Sequence, residues 1–588
     1  MKLFYIVIII IISLFALFPS FSLSLLGDDW LAFFRYLQML GPKSSGEWNH
    51  LTYFLTPYGA QDIWMGFLQK IYGYNSTLYF ITSYLLRIGA ALSLYPLVNY
   101  LTKSKLGAMF AVIFFSITVV GFDTTNWSSN MTTYITITFF NIFLYFFIKS
   151  RSQGGVKVLS LSLLLYYFAY ITAPIRMHGS LVFIFLLEAF WVLQERDLKI
   201  LKKAFIRFVT IIAVFLIVRY TGHSQGPSQE AIERFNIGIK AMSQMLAAGR
   251  FDFLFYPIVM FGSMIIPDLI MPSVQIISKS KLLFTSLIPA FTGFLILSAL
   301  LLKDIPSSFK LKFFTKTCFA AACWVLIIIL IFSKNLATFN DSRYISLLLI
   351  GGFGIILIGS LIIKFFKQKN LSSALFLGLS WSILSFFFAW WWAPTSIFPT
   401  TYRYLIVSAA GISILFGAII SLGREKKNQL SIFSFLCLFL ILHIISTRIY
   451  ISSLLNTHSQ NITNKIWDSI PHVNEIGKSK EPVIFYFEGD NTNGGILHDT
   501  VTFGFPPHMG LIYNLMEGDG LPVPISEFKE LVSSITDGKN MPAYGYKVKP
   551  LAIDRIYAFH LYGKDNLINI TSQVREKLRQ SKIENESN

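Results

Sequence analysis

The sequence predicts an α-helical polytopic membrane protein with about thirteen transmembrane helices and a small extracytoplasmic α/β domain at its C-terminal end. Three observations predict it. Of 588 residues, 54% are hydrophobic and only 14% are charged, where a soluble domain carries about 25% charged residues. The apolar residues gather in runs close to the roughly 20 residues that a spanning helix needs. The Lys and Arg residues between the runs fall on alternate loops, as the orientation rule for membrane helices requires. A cytosolic enzyme, a disordered hub and a small secreted protein are excluded, because no aqueous core hides so much apolar sequence.

The first run, 3–26, is longer than the roughly 7–15-residue apolar region of a signal peptide. It reads as an uncleaved first helix, with cleavage near Ser22 as the alternative. Further runs cover 78–101, 106–121, 131–148, 157–173, 179–194, 204–220, 283–302, 317–333, 344–363, 371–391, 404–422 and 430–451. Lys103, Lys149, Lys199, Lys310, Lys367 and Lys426, each with neighbouring cations, mark one set of short loops. The opposite short loops hold only Arg176, Lys334, Arg343 and Arg403. With Lys2 in the cytoplasm, the cation-rich set is cytoplasmic throughout. Much of the net charge of +18 is therefore a topology signal and not a nucleic-acid footprint.

Residues 251–277 are apolar enough to cross, but a single crossing there would invert every later loop. With Pro257, Pro267, Asp268 and Pro272 the segment reads as an interfacial or re-entrant element within an external loop, 221–282. The chain then divides into a membrane domain, 1–451, and an extracytoplasmic domain, 452–588. The long loops 27–77 and 221–282 lie on the same outer side. The C-terminal domain has strand-like runs at Val483–Phe487 and Ile556–Leu561 and a polar helix near 571–580. Cys318, Cys323 and Cys437 sit in apolar runs and match no zinc or disulfide framework.

The sharpest chemical feature is Gly27-Asp28-Asp29-Trp30, two adjacent carboxylates where the first helix leaves the membrane. Carboxylates beside hydrocarbon are costly, and such groups suit general-base work or metal ligation. The alternative is a helix-end anchor with Trp30 in the aromatic belt. Asp341-Ser342-Arg343-Tyr344 and Thr401-Tyr402-Arg403-Tyr404 each place Arg-Tyr at the outer start of a helix. Arg presents a planar fork of donors that matches phosphate oxygens; a snorkelling Arg beside a belt Tyr is the plainer account. Arg176 and His178 share the third external loop, where His either binds metal or phosphate or is a satisfied structural residue. Glu47, His50 and Asp62 in the first loop carry no spacing that ranks them. Glu188 and Arg87, inside predicted spans, are expected to face the bundle interior as structural partners. Trp390-Trp391-Trp392 suits a sugar face, a polyprenyl chain or the membrane boundary equally.

A first external loop that is acidic at its start, a many-span bundle and an external C-terminal domain together resemble the GT-C glycosyltransferases. These include protein O-mannosyltransferases, aminoarabinose transferases and oligosaccharyltransferases. The resemblance covers the whole layout, although its motif is only a few residues long. It implies a catalytic Asp at Asp28, with Asp29 as the second acid of the pair. It implies that the Arg of Arg343-Tyr344 and of Arg403-Tyr404 faces the lipid phosphate; Arg176 and His178 stay further candidates for substrate binding. It also implies a second acid at Asp123, serving metal or acceptor; a turn-capping Asp is the alternative there. Ala393 stands where the oligosaccharyltransferase Trp-Trp-Asp motif has its acid, which weighs against that subclass.

The expected activity is transfer of a sugar from a polyprenyl-phosphate donor to an acceptor hydroxyl on the extracytoplasmic side, with inversion. The acceptor is a lipid, a protein or a cell-envelope glycan. No cofactor is fixed by the sequence; a divalent cation, Mg or Mn, is the candidate. The expected place is the cell (inner or plasma) membrane. A flippase or transporter for a lipid-linked oligosaccharide, a cell-envelope polysaccharide polymerase or ligase, and a non-catalytic scaffold are the competing classes. Transporters tend to carry repeats and broken midplane helices, and no repeat is visible in this sequence.

Overall fold

The computed structural model describes the chain except residues 1–2, 26, 42–45, 47–48, 57, 154, 178, 222–228, 272–278, 303–306, 340, 391–404, 424, 458–469, 471–482, 490–503, 514–521, 538, 542–545, 549, 564–565 and 587–588. It forms two compact units. One comprises Met1–Phe18, Ser83–Thr125 and Met131–Tyr450; the other comprises Pro19–Thr82, Asn126–Asn130 and Ile451–Asn588.

A helix occupies each of the thirteen apolar intervals read from the sequence, from Leu3–Leu17 to Lys426–Thr457. Among the described residues six are long and apolar enough to cross a membrane: Phe4–Ser22, Ser76–Thr102, Ser128–Arg151, Phe313–Ser333, Ser342–Lys364 and Lys426–Leu455. Shorter apolar helices include Lys105–Ile117, Val156–Thr172 and Ile406–Ile420. The chain is thus a multi-pass membrane protein. The first α-helix stops at Leu17 and tightens into the 3-10 turn Phe18–Ser22. Pro19 accounts for this, because it lacks an N–H and restricts the residue before it.

The first unit is built around Ile406–Ile420, every residue of which is buried. A helix that is apolar on all sides belongs inside a bundle, and this one packs between Lys105–Ile117 and Lys369–Trp390. An elbow lies at the start of the apolar segment 251–277: Asn236–Ala247 and Asp252–Ile265 are bent by 113°. Such a break fits a re-entrant element or a broken span. The second arm lies against Ser342–Lys364. A Cβ at Gly262 would fall 2.1 Å from the Leu347 carbonyl oxygen, and one at Gly351 would fall 2.0 Å from that of Ile258. Small residues let the two backbones meet. At the bend, buried Asp252 accepts hydrogen bonds from Arg250 Nε at 2.9 Å and from the Thr338 backbone N–H.

Interior charges are paired to helices. Glu188 accepts from Arg207 Nε at 2.8 Å and lies 3.3 Å from Arg151 Nη1. Arg207 also donates to Ser150 Oγ and the Phe147 carbonyl. Arg87 is fully buried and donates to Thr125 Oγ1 and to the carbonyls of Phe115 and Thr118, where the Lys105–Ile117 helix ends. Both residues face the interior as expected, but they serve different helices and not each other.

The second unit holds an α/β fold. β1 (Ile484–Gly489) runs parallel to both β2 (Val523–Ile525) and β5 (Ile556–Tyr562), and β6 (Asn566–Asn569) closes the edge antiparallel to β5. β3 (Lys539–Met541) and β4 (Tyr546–Val548) form a separate antiparallel pair. The parallel strands are covered on both faces, so they read as continuous apolar runs. Ile484, Tyr486, Val523, Ile556 and Ala558 pack with Leu531, Val574 and Leu578 from the helices Phe528–Thr536 and Thr571–Glu586. Phe485, Phe487 and Phe559 stack on the opposite face beneath Phe505 of the helix Phe505–Ile512.

Candidate active site

The acidic pair opens the helix Asp28–Leu40 in the second unit. Gly27 precedes it with φ 55°, a conformation that suits glycine. Carboxylates in a first turn also meet the positive end of the helix dipole. The two acids are treated differently by their surroundings. Asp29 is only 1% exposed, and its Oδ1 accepts the Ser129 backbone N–H at 2.6 Å. Asp28 is half-buried. Trp30 folds back over the turn and donates from Nε1 to the Leu25 carbonyl at 2.8 Å. Its ring meets Phe33, Tyr74 and His508, the last at 4.1 Å between centroids.

Two helical turns beyond Asp28, on the same helix face, stands Arg35. It grips Asp62 of the helix Gly59–Tyr72 with two parallel bonds, Nε to Oδ2 and Nη2 to Oδ1, each 2.8 Å. Tyr53 donates its hydroxyl to the same Oδ2 at 2.7 Å, and Tyr58 lies over the guanidinium. Burial pushes the Asp62 carboxyl above the ordinary range; Arg35 and Tyr53 oppose the rise, and the nearby Asp28 charge adds to it. The first loop therefore assembles Asp28, Asp29, Asp62, Arg35 and Tyr53 in one unit. Arg35 and Tyr53 were missed by sequence reasoning. The seven-residue spacing from Asp28 to Arg35 was the available signal for Arg35.

Apart from His50, the other candidates belong to the first unit or lie outside the described residues. Asp123 opens the short helix Asp123–Asn126 and is half-buried. Arg176 sits in the turn Pro174–Met177. Arg343 is bound to acids: Nε and Nη2 reach Asp341 Oδ2 at 2.8 and 2.6 Å, and Nη1 lies 3.5 Å from Asp268 Oδ2. Tyr344 stacks on Phe339 at 4.8 Å. Arg343 thus ties the start of Ser342–Lys364 to the turn Asp268–Ile270. Arg403, Tyr404, His178, Glu47, Trp391 and Trp392 lie outside the described residues. His50 is exposed at the start of the helix His50–Phe54. Among the described residues no three His, Cys, Asp or Glu side chains gather as a metal site.

No family model matches the chain, and no curated protein matches it. Among solved structures it is similar to the archaeal oligosaccharyltransferase AglB from Archaeoglobus fulgidus, solved in complex with an inhibitory peptide and a dolichol-phosphate. That likeness has a TM-score of 0.41 at 12% identity, and covers 95% of this chain and 69% of the other.

Proposed function

We propose that this protein is a membrane glycosyltransferase of the GT-C kind, moving a sugar from a polyprenyl-phosphate donor to an acceptor hydroxyl. The observation that carries the reading is the asymmetry of the acidic pair. Asp29 is buried and committed to the Ser129 N–H, while Asp28 is half-buried beside the Arg35–Asp62 pair. Asp28 acts as general base. It takes the proton from the acceptor hydroxyl as that oxygen attacks the anomeric carbon from the face opposite the phosphate. The carbon–oxygen bond to phosphate breaks, and the polyprenyl phosphate leaves with the bonding electron pair, so the anomeric centre inverts. Asp29 holds the turn.

The leaving charge calls for cationic donors. Arg403 is the first choice, with Tyr404, Arg176 and His178 beside it. Arg343, with Tyr344, also binds the elbow through Asp268, so a phosphate there competes with a carboxylate. Asp123 is assigned to the acceptor, and no step is routed through a cation. The thirteen helices all span the membrane, the N-terminus is cytoplasmic, and the region 452–588 and the loops 27–77 and 221–282 face outward. The loop 221–282 closes over the bound donor and excludes water.

The test is a panel of labelled polyprenyl-phosphate sugars offered to the purified protein with membrane extract as acceptor source. Wild type is expected to transfer label from at least one donor. Asp28→Asn is expected to lose about 100- to 10,000-fold, the usual worth of a general base. Asp29→Asn keeps an acceptor oxygen for Ser129 and is expected to retain most activity. The opposite pattern would exchange the roles of the two acids. Stable lipid binding with no transfer from any donor would instead favour a flippase.

A further inference from the structure

The region 452–588 has no role assigned above beyond facing outward. Within the second unit it reaches the acidic turn directly. Gly504 has φ 88°, and a Cβ there would fall 2.7 Å from the Gly27 Cα and N. No side chain fits between these two backbones. One helical turn further on, the His508 ring meets Trp30 edge to face at 4.1 Å. Trp30 in turn closes the Leu25–Trp30 turn through its Nε1 bond to the Leu25 carbonyl. The same short helix, Phe505–Ile512, is fastened to the sheet by Phe505, which meets Phe485 at 5.3 Å and Phe487 at 5.4 Å.

An unbroken chain of packed groups therefore runs from β1 through Phe505 and His508 to Trp30, and so to the residues on either side of Asp28. We infer that Gly504 and His508 are positioning residues for Asp28, and that the C-terminal α/β region sets the geometry of the proposed base. The inference rests on the glycosyltransferase reading for its catalytic part. Its mechanical part stands on packing alone: His508 is buried against the indole, and Gly504 permits the approach. A reacting group displaced by about 1 Å loses about 100-fold in rate. A turn held by contact on one side and by Ser129 on the other has little room to shift unless one support is removed.

The experiment compares His508→Ala, Gly504→Ala and His508→Phe in the full-length protein. It reads transfer kinetics together with hydrogen exchange of the peptide covering residues 25–31. In His508→Ala, kcat is expected to fall about ten- to a hundredfold with KM for the donor unchanged. The amides of residues 28–31 should exchange faster in the same variant. His508→Phe keeps a ring on Trp30 and should restore both readings. Gly504→Ala should resemble His508→Ala; if it does not fold, the His508 pair decides. Unchanged exchange in His508→Ala would overturn the mechanical link. Faster exchange with undiminished kcat would overturn the catalytic part. A wild type that transfers nothing would instead sink the glycosyltransferase reading and with it the catalytic part, leaving exchange to decide the packing link.

Discussion

Among the helices of this protein that begin with acid, two use it in opposite ways. Asp341 caps Ser342–Lys364: its Oδ1 accepts the Arg343 N–H at 2.9 Å, and its Oδ2 holds the Arg343 guanidinium. These bonds all turn on Arg343 of its own helix. Asp28 and Asp29 stand one position further in, after a glycine, and Asp29 reaches a backbone N–H a hundred residues away. The first acid is local structure. Asp29, by contrast, is tied to a distant part of the chain. The same residue type at the same end of a helix therefore says little; what the carboxylate oxygens touch separates the two.

The comparison breaks most strongly at Asp29. Asp29→Ala leaves the Ser129 N–H without its acceptor and is expected to cost about 1–3 kcal/mol of stability, seen as a lower thermal midpoint in detergent, with a fall in transfer. An unchanged midpoint would remove Asp29 from the support of the turn.

Next in size is a pH effect at the other support. Burial lowers His508 to about 3, while the unfolded chain protonates it near 6.5. The unfolded state thus binds the extra proton between those values, so stability rises with pH across that window and is lost on acidification below about 6.5. Going from pH 8 to pH 5.5 should cost about 1.4 kcal/mol through this residue. His508→Phe should flatten that part of the thermal-midpoint curve; an unaltered slope would place the acid sensitivity elsewhere.

The smallest effect belongs to the true cap. Asp341→Ala should cost about 1 kcal/mol with kcat unchanged, as measured by unfolding and transfer side by side. A kcat that falls with Asp341 would erase the distinction drawn between the two helix starts.

Much of the helical architecture was legible because hydrophobicity is a local property. Each of the thirteen apolar runs holds an observed helix, and the strand runs at 483–487 and 556–561 fall on β1 and β5. The first α-helix ends early for a local reason, Pro19. The acid pair was legible from its position beside an apolar run. Its partners were not. Arg35 and Asp62 meet across 27 positions, Asp29 and Ser129 across 100, and neither spacing carries a periodic signal. Gly504 and His508 look like ordinary turn and helix residues until the backbone of Gly27 is placed against them.

That last contact has a consequence for how the protein is made. Residues 27 and 504 meet although most of the sequence lies between them. The first helix is synthesised and inserted long before Gly504 leaves the ribosome. Until then the turn around Asp28 lacks one of its walls, so the proposed base cannot adopt its working shape during biogenesis. A nascent chain stalled before Gly504 would be inserted but idle, and competence would arrive only when the C-terminal region folds.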